Sequence, residues 1–116
     1  MTFSKSGTVL FLLLILVACA PKSLEPVVLH KGVRFFYSAP SAKSVAIAGS
    51  FNHWDPDKDR LAGPDKNGVW TVVLPLAPGR YEYRFVVDGT DWVPDPSSPT
   101  VDDGLGGLNS LLVYEQ

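Results

Sequence analysis

The sequence predicts an all-β fold, a sandwich of about seven or eight short strands. Three observations carry that prediction. Apolar residues alternate with a period of two in several stretches between residues 33 and 87, which puts one set of side chains on each face of an extended chain. Turn signals rich in Gly, Pro, Asn and Asp separate these stretches at intervals of about 8–12 residues. Between Val27 and Gln116 no helical period persists for even three turns. Pro and Gly number ten each among 116 residues, which suits short strands joined by tight turns. An immunoglobulin-like sandwich fits this pattern best.

In chain order, residues 1–18 read as a lipoprotein signal peptide. Lys5 is their one charged side chain, and Val9 opens an apolar run that ends at Ala18. Such a run of about ten residues suits a signal peptide. It is half of the roughly twenty that a membrane-spanning helix needs. Leu16-Val17-Ala18-Cys19 resembles the bacterial lipobox. The resemblance implies that Cys19 carries a diacylglyceryl group, becomes the mature N-terminus and is acylated again. Each buried methylene adds about 0.8 kcal/mol, so several chains anchor firmly to a membrane. The alternative is an ordinary secretory signal with an incidental Cys. Ala20 follows Cys19, which in a Gram-negative envelope favours the outer membrane. Residues 19–27 then form the lipidated Cys and a tether, and residues 28–116 the sandwich domain.

Within the domain, Val33, Phe35 and Tyr37 share one strand face, with Arg34 and Phe36 on the other. Val45 and Ile47 share a face in the next strand, and Leu61 plugs the core from a polar connection. Asp65-Lys66-Asn67-Gly68 is a turn, and Trp70, Val72 and Leu74 line one face of the strand after it. Tyr81, Tyr83, Phe85 and Val87 point one way, and Glu82, Arg84 and Val86 the other. Asp88-Gly89 is a hairpin signal. Leu111 opens a final short strand that closes at Tyr114, and Gly104-Leu105-Gly106-Gly107 before it reads as a flexible loop.

Composition excludes several function classes. The formal charge is −2 and no basic run occurs, so nucleic acid is not an expected partner. One Cys cannot form an internal disulfide. Asp55-Pro56-Asp57-Lys58-Asp59 imitates a calcium loop. It fails at Arg60, where a Gly is needed, and at Lys66, where a bidentate Glu is needed. His30 and His53 are isolated, so no metal and no cofactor are expected. The Gly-rich run lacks the helix that a phosphate cradle requires. No carboxylate pair or nucleophile signature marks an enzyme.

The candidate chemistry lies instead in Trp54, Arg84 and Trp92. Trp54 sits beyond the turn that closes a Val/Ile strand, and Trp92 between a hairpin turn and a Pro-stiffened loop. A glucose ring has apolar C–H faces, on which two Trp can stack. It also has a hydroxyl rim, which Arg84 and an amide such as Asn109 can bond. About 100 Å2 covered per Trp is worth roughly 2.5 kcal/mol before ordering costs, consistent with a Kd of about 10 µM to 1 mM. Two other readings stay open: both Trp as lids on the core, and Arg84 paired with Glu82 or Asp88 on a solvated face.

Several segments also carry a family resemblance. They are Ala48-Gly49-Ser50-Phe51-Asn52-His53-Trp54, Gly68-Val69-Trp70, the run from Leu76 to Gly89, Trp92 with Asp95-Pro96, and the run from Gly106 to Leu111. Together they resemble carbohydrate-binding module family 48. Its members include the glycogen-binding domain of the AMP-activated protein kinase β subunit and the N-terminal, early-set domain of isoamylases. The resemblance implies carbohydrate binding by Trp54, Arg84, Trp92, Leu105 and Asn109, with Arg84 standing where a Lys is usual and Gly107 where a Thr is usual. The expected function is a non-catalytic, membrane-anchored module recognising an α-1,4-linked glucan, glycogen or a maltooligosaccharide. The alternative is a protein-interaction or scaffolding sandwich that packs on an envelope protein.

Overall fold

The computed structural model describes residues 23–115. The signal peptide and the lipidated Cys19 fall outside the described residues. Eight strands form: β1 (Val27–Leu29), β2 (Gly32–Ser38), β3 (Val45–Gly49), β4 (Val69–Leu74), β5 (Gly79–Val87), β6 (Asp91–Val93), β7 (Thr100–Asp102) and β8 (Leu108–Tyr114). All pair antiparallel. One sheet has the order β1-β2-β4 and the other β3-β5-β8-β7, with β6 continuing the β8 side of β5. The predicted all-β sandwich is the observed fold.

The alternation places the core as expected. Val33, Phe35, Ile47, Leu61, Trp70, Leu74, Tyr83 and Phe85 are buried between the sheets. Phe35, Tyr83 and Phe85 meet edge to face, with centroids 5.0 Å and 5.8 Å apart. Each buried ring contributes about 2–3 kcal/mol. Trp70 joins them and donates its indole N–H to the Ala39 carbonyl at 2.9 Å, so its polar atom is satisfied. Phe51, from the turn after β3, folds back toward Phe35 and Tyr81.

Three of the eight strands were not located by the sequence pattern. β1, β6 and β7 are three residues each, too short for a period to register. β1 starts at Val27, opposite Arg34, within the stretch read as tether. β8 begins at Leu108 rather than Leu111. Its opening residues include Asn109 and Ser110, both buried, and buried polar residues hide a strand from an apolar pattern. Asp88 and Gly89 adopt φ of 51° and 78°, the left-handed pair that a tight hairpin needs. Asp88 Oδ1 also accepts from the Lys43 and Ser44 amides, which ties that hairpin to the start of β3.

Candidate functional site

The outward face of β5 is where the site forms. Direct cross-strand pairs share a face of a sheet. Val86 therefore brings Ala46 from one side and Trp92 from the other to the outward face. Arg84 brings Ala48 likewise, and continuing the β5–β8 register one step places Asn109 beside it. Ala46, Ala48 and Val86 are buried although they face away from the core, because Trp54 packs over them. Two alanines and a valine leave a shallow seat that a broad ring can fill.

The turn from Gly49 to Trp54 holds that ring in place. Asn52 is buried and acts as its latch. Its Oδ1 accepts from the Gly49 amide at 2.9 Å, and its amide donates to the Ile47 carbonyl and the Asp59 carboxylate. The Trp54 amide donates to the Gly49 carbonyl at 3.0 Å. His53 and Trp54 both have positive φ, 57° and 59°. Two consecutive non-glycine residues in that region are disfavoured and persist only where their surroundings demand it. Gly49 must lack a side chain, since a Cβ there would lie 2.6 Å from the Glu82 carbonyl oxygen.

Trp54, Arg84, Trp92, Leu105 and Asn109, all predicted, line one open groove of about 570 Å3. Trp92 is exposed at 38% and Leu105 at 91%. Neither tryptophan is a lid on the central core. Asn109 is a strand residue, although the sequence pattern opens the last strand only at Leu111. Ser50, Arg80, Glu82 and Asp103 complete the lining and were not predicted. Arg80 and Glu82 alternate with Arg84 along β5, so the period could have found them. Asp103 left no local signal, because its role depends on loop closure.

Across the groove floor the polar groups form a continuous chain. Arg80 bonds Glu82 at 2.8 Å, and Glu82 accepts from the Asn109 amide at 3.0 Å. Asn109 accepts from Arg84 Nε at 2.8 Å, and Arg84 Nη2 bonds Asp103 at 2.6 Å. Arg84 therefore pairs with Asp103, not with Glu82 or Asp88, because β7 brings Asp103 to the end of β8. The Asn109 amide holds the Glu82 carboxyl below the usual carboxylate range, with Arg80 reinforcing it. The amides of Gly107 and Leu105 do the same for Asp103, and Arg84 adds to it.

The late loop is held rather than free. Asp103 Oδ1 accepts from the Leu105 amide at 2.6 Å and the Gly107 amide at 2.9 Å. Gly104 and Gly106 take φ of 83° and 90°, conformations open to glycine. A Cβ on Gly107 would lie 2.7 Å from Asp103 Oδ2 and 3.0 Å from Arg84 Nη2. The ion pair thus fills the space that a side chain at this position would need.

The Asp55-to-Asp59 stretch serves its own turn. Asp55 accepts from the Asp57 amide, Asp57 pairs with Arg60, and Asp59 holds Asn52. Among the described residues, no three His, Cys, Asp or Glu side chains gather as a metal site, and no helix is long and apolar enough to cross a membrane.

The family described as the glycogen recognition site of AMP-activated protein kinase matches residues 32–116. Among curated proteins, the chain is 41% identical over 73 residues to Protein PTST homolog 2, chloroplastic, of Arabidopsis thaliana, covering 63% of this chain and 13% of that one. It is 39% identical over 70 residues to the mouse 5'-AMP-activated protein kinase subunit beta-2, covering 60% and 24%. It is 36% identical to the pig subunit beta-1, covering 60% and 53%. The chain thus spans from about an eighth to about half the length of these relatives.

Proposed function

The chain belongs to the glycogen-recognition family of AMP-activated protein kinase, and on that premise we propose that it is a non-catalytic module binding α-1,4-linked glucan, held on a bacterial membrane through Cys19. One observation carries the reading. Five separate segments bring Trp54, Trp92, Leu105, Arg84 and Asn109 to a single open groove. Their chemistry matches a sugar chain. Trp54 and Trp92 offer ring faces to the C–H faces of glucose, and Leu105 offers an apolar knob between hydroxyls. Arg84 uses two of its five donors within the floor, which leaves donors for ligand hydroxyls. An open groove admits the middle of a chain as readily as its end, as a targeting module for a polymer requires. Weak binding at each site is offset where many copies share one membrane facing one polymer.

Calorimetry on the full chain, held in a non-glycosidic detergent, tests the site. Maltoheptaose should bind saturably with a Kd of about 10 µM to 1 mM. Absence of heat at millimolar ligand would sink the reading. Anchoring has its own test. Cys19→Ala should release the protein from the membrane fraction and abolish labelling by a fatty-acid analogue. A membrane-bound, labelled C19A protein would remove the anchor.

A further inference from the structure

We infer that the groove selects uncharged glucan over glucan carrying phosphate or other anionic groups, and that Glu82 and Asp103 are the residues that impose this choice. The inference rests on the glucan-binding reading above. A groove that took an anionic chain would need a cation free to meet the anion. The two cations lining this groove are Arg80 and Arg84, and each is already paired. Arg80 lies 2.8 Å from Glu82, and Arg84 lies 2.6 Å from Asp103. The two carboxylates balance the two guanidiniums.

The Arg84 pair is hard to displace. Its side chains are exposed at only 22% and 14%. Asp103 also accepts the Leu105 and Gly107 amides. An anion competing for Arg84 would strand a partly buried carboxylate. Glu82 is held more openly, by Arg80, whose side chain is 56% exposed, and by the Asn109 amide. An incoming phosphate would therefore meet fixed negative charge, and like charges in such proximity are strongly disfavoured. A neutral hydroxyl faces none of these penalties. It can donate to the carboxylates and accept from the spare guanidinium donors without breaking a pair.

The test compares maltoheptaose with maltoheptaose bearing phosphate monoesters, at low salt, on the full chain in a non-glycosidic detergent. The unaltered protein should bind the phosphorylated chain at least about tenfold more weakly. Glu82→Gln and Asp103→Asn should each bring the ratio of the two affinities toward about threefold, and added salt should narrow it as charges are screened. The ratio is the readout, since a general loss of fold would weaken both ligands together. Equal affinity of the unaltered protein for the two chains would overturn the inference while leaving the glucan site standing. A ratio unchanged in both variants would overturn the assignment to these carboxylates. Failure of maltoheptaose itself to bind would overturn the glucan reading, and this inference with it.

Discussion

β5 carries two polar networks on opposite faces, and adjacent residues feed them. Tyr83 points inward and Arg84 outward, and on β8 Ser110 points inward and Asn109 outward. The inward network joins Tyr83, Asp95, Ser98 and Ser110. Tyr83 donates to Asp95 at 2.7 Å, and Ser110 Oγ accepts from the Asp95 amide at 2.6 Å. The outward network runs from Arg80 to Asp103. Both hydrogen-bond a carboxylate several times, yet the two carboxylates titrate in opposite senses. Burial pushes the Asp95 carboxyl up, and among the described residues no cation acts on it. Backbone amides and Arg84 pull Asp103 down. The inward network fastens β6 and β7 to the core, and the outward one offers groups to a ligand.

The largest effect should come from breaking the inward network. Asp95→Ala takes from the Ser97 amide its acceptor and from the Tyr83 hydroxyl one of its two partners, the other being Ser98 Oγ at 2.8 Å, at a position only 1% exposed. Buried polar groups so stranded, together with a cavity, cost about 3 kcal/mol. Urea unfolding should show that loss. Asp103→Ala breaks the outward network and should cost clearly less than Asp95→Ala by the same measurement. Equal losses would erase the distinction between the two faces.

The two outward tryptophans come next. Trp54→Ala and Trp92→Ala should each weaken maltoheptaose binding by about tenfold or more, from roughly 2 kcal/mol of lost stacking. Their effects on stability should differ. Trp54 covers Ala46, Ala48 and Val86, so its loss should also destabilise the fold by about 1–2 kcal/mol. Trp92 lies more open, and its loss should change stability by less than about 1 kcal/mol. Matching stability losses would show that Trp54 is not seated on the sheet as described.

How much of this was legible in the sequence follows from the range of each interaction. The period of two placed Tyr83 and Phe85 inward and Arg84 outward, because alternation is local. Trp54 and Trp92 stood out because a turn rarely carries large apolar groups. Val86 read as an outward residue, and it is, but the Trp54 that buries it arrives from the turn after β3. Asp95 falls in the Pro-stiffened loop and Ser110 just before the expected last strand, and nothing nearby in the chain announces a buried partner fifteen positions away. Asp103 was missed for the same reason, its partner Arg84 lying nineteen positions off.

The opposite titrations can be separated by pH. A carboxyl raised in the folded state holds its proton more tightly there than when unfolded. Its contribution is therefore complete in acid and lost as pH climbs from about 3.8 through the raised value. Lowered carboxyls act the other way: the stability from Glu82 and Asp103 is present above their ordinary values and disappears as pH falls through the depressed ones. Asp95→Asn should thus flatten the decline on the rising-pH side, by up to about 1.4 kcal/mol per pH unit inside that window. Asp103→Asn should flatten the decline on the acid side. Stability curves unaffected by D95N would show that Asp95 does not ionise against its burial.

The smallest expected effect is also the most local. Gly107→Thr introduces a Cβ where the Arg84 to Asp103 ion pair lies, at 2.7 Å and 3.0 Å from its atoms. Both partners are side chains, so the pair can give way where backbone could not. The fold should lose only about 0.5–1 kcal/mol, while maltoheptaose binding weakens severalfold as Arg84 and the Leu105 loop lose their common anchor. Asp103→Ala in the same chain removes the obstacle. The double variant should therefore fall short of the summed losses, a non-additivity expected of residues sharing one contact. Strict additivity in the double-mutant cycle would mean that the glycine and the ion pair do not compete for the same space.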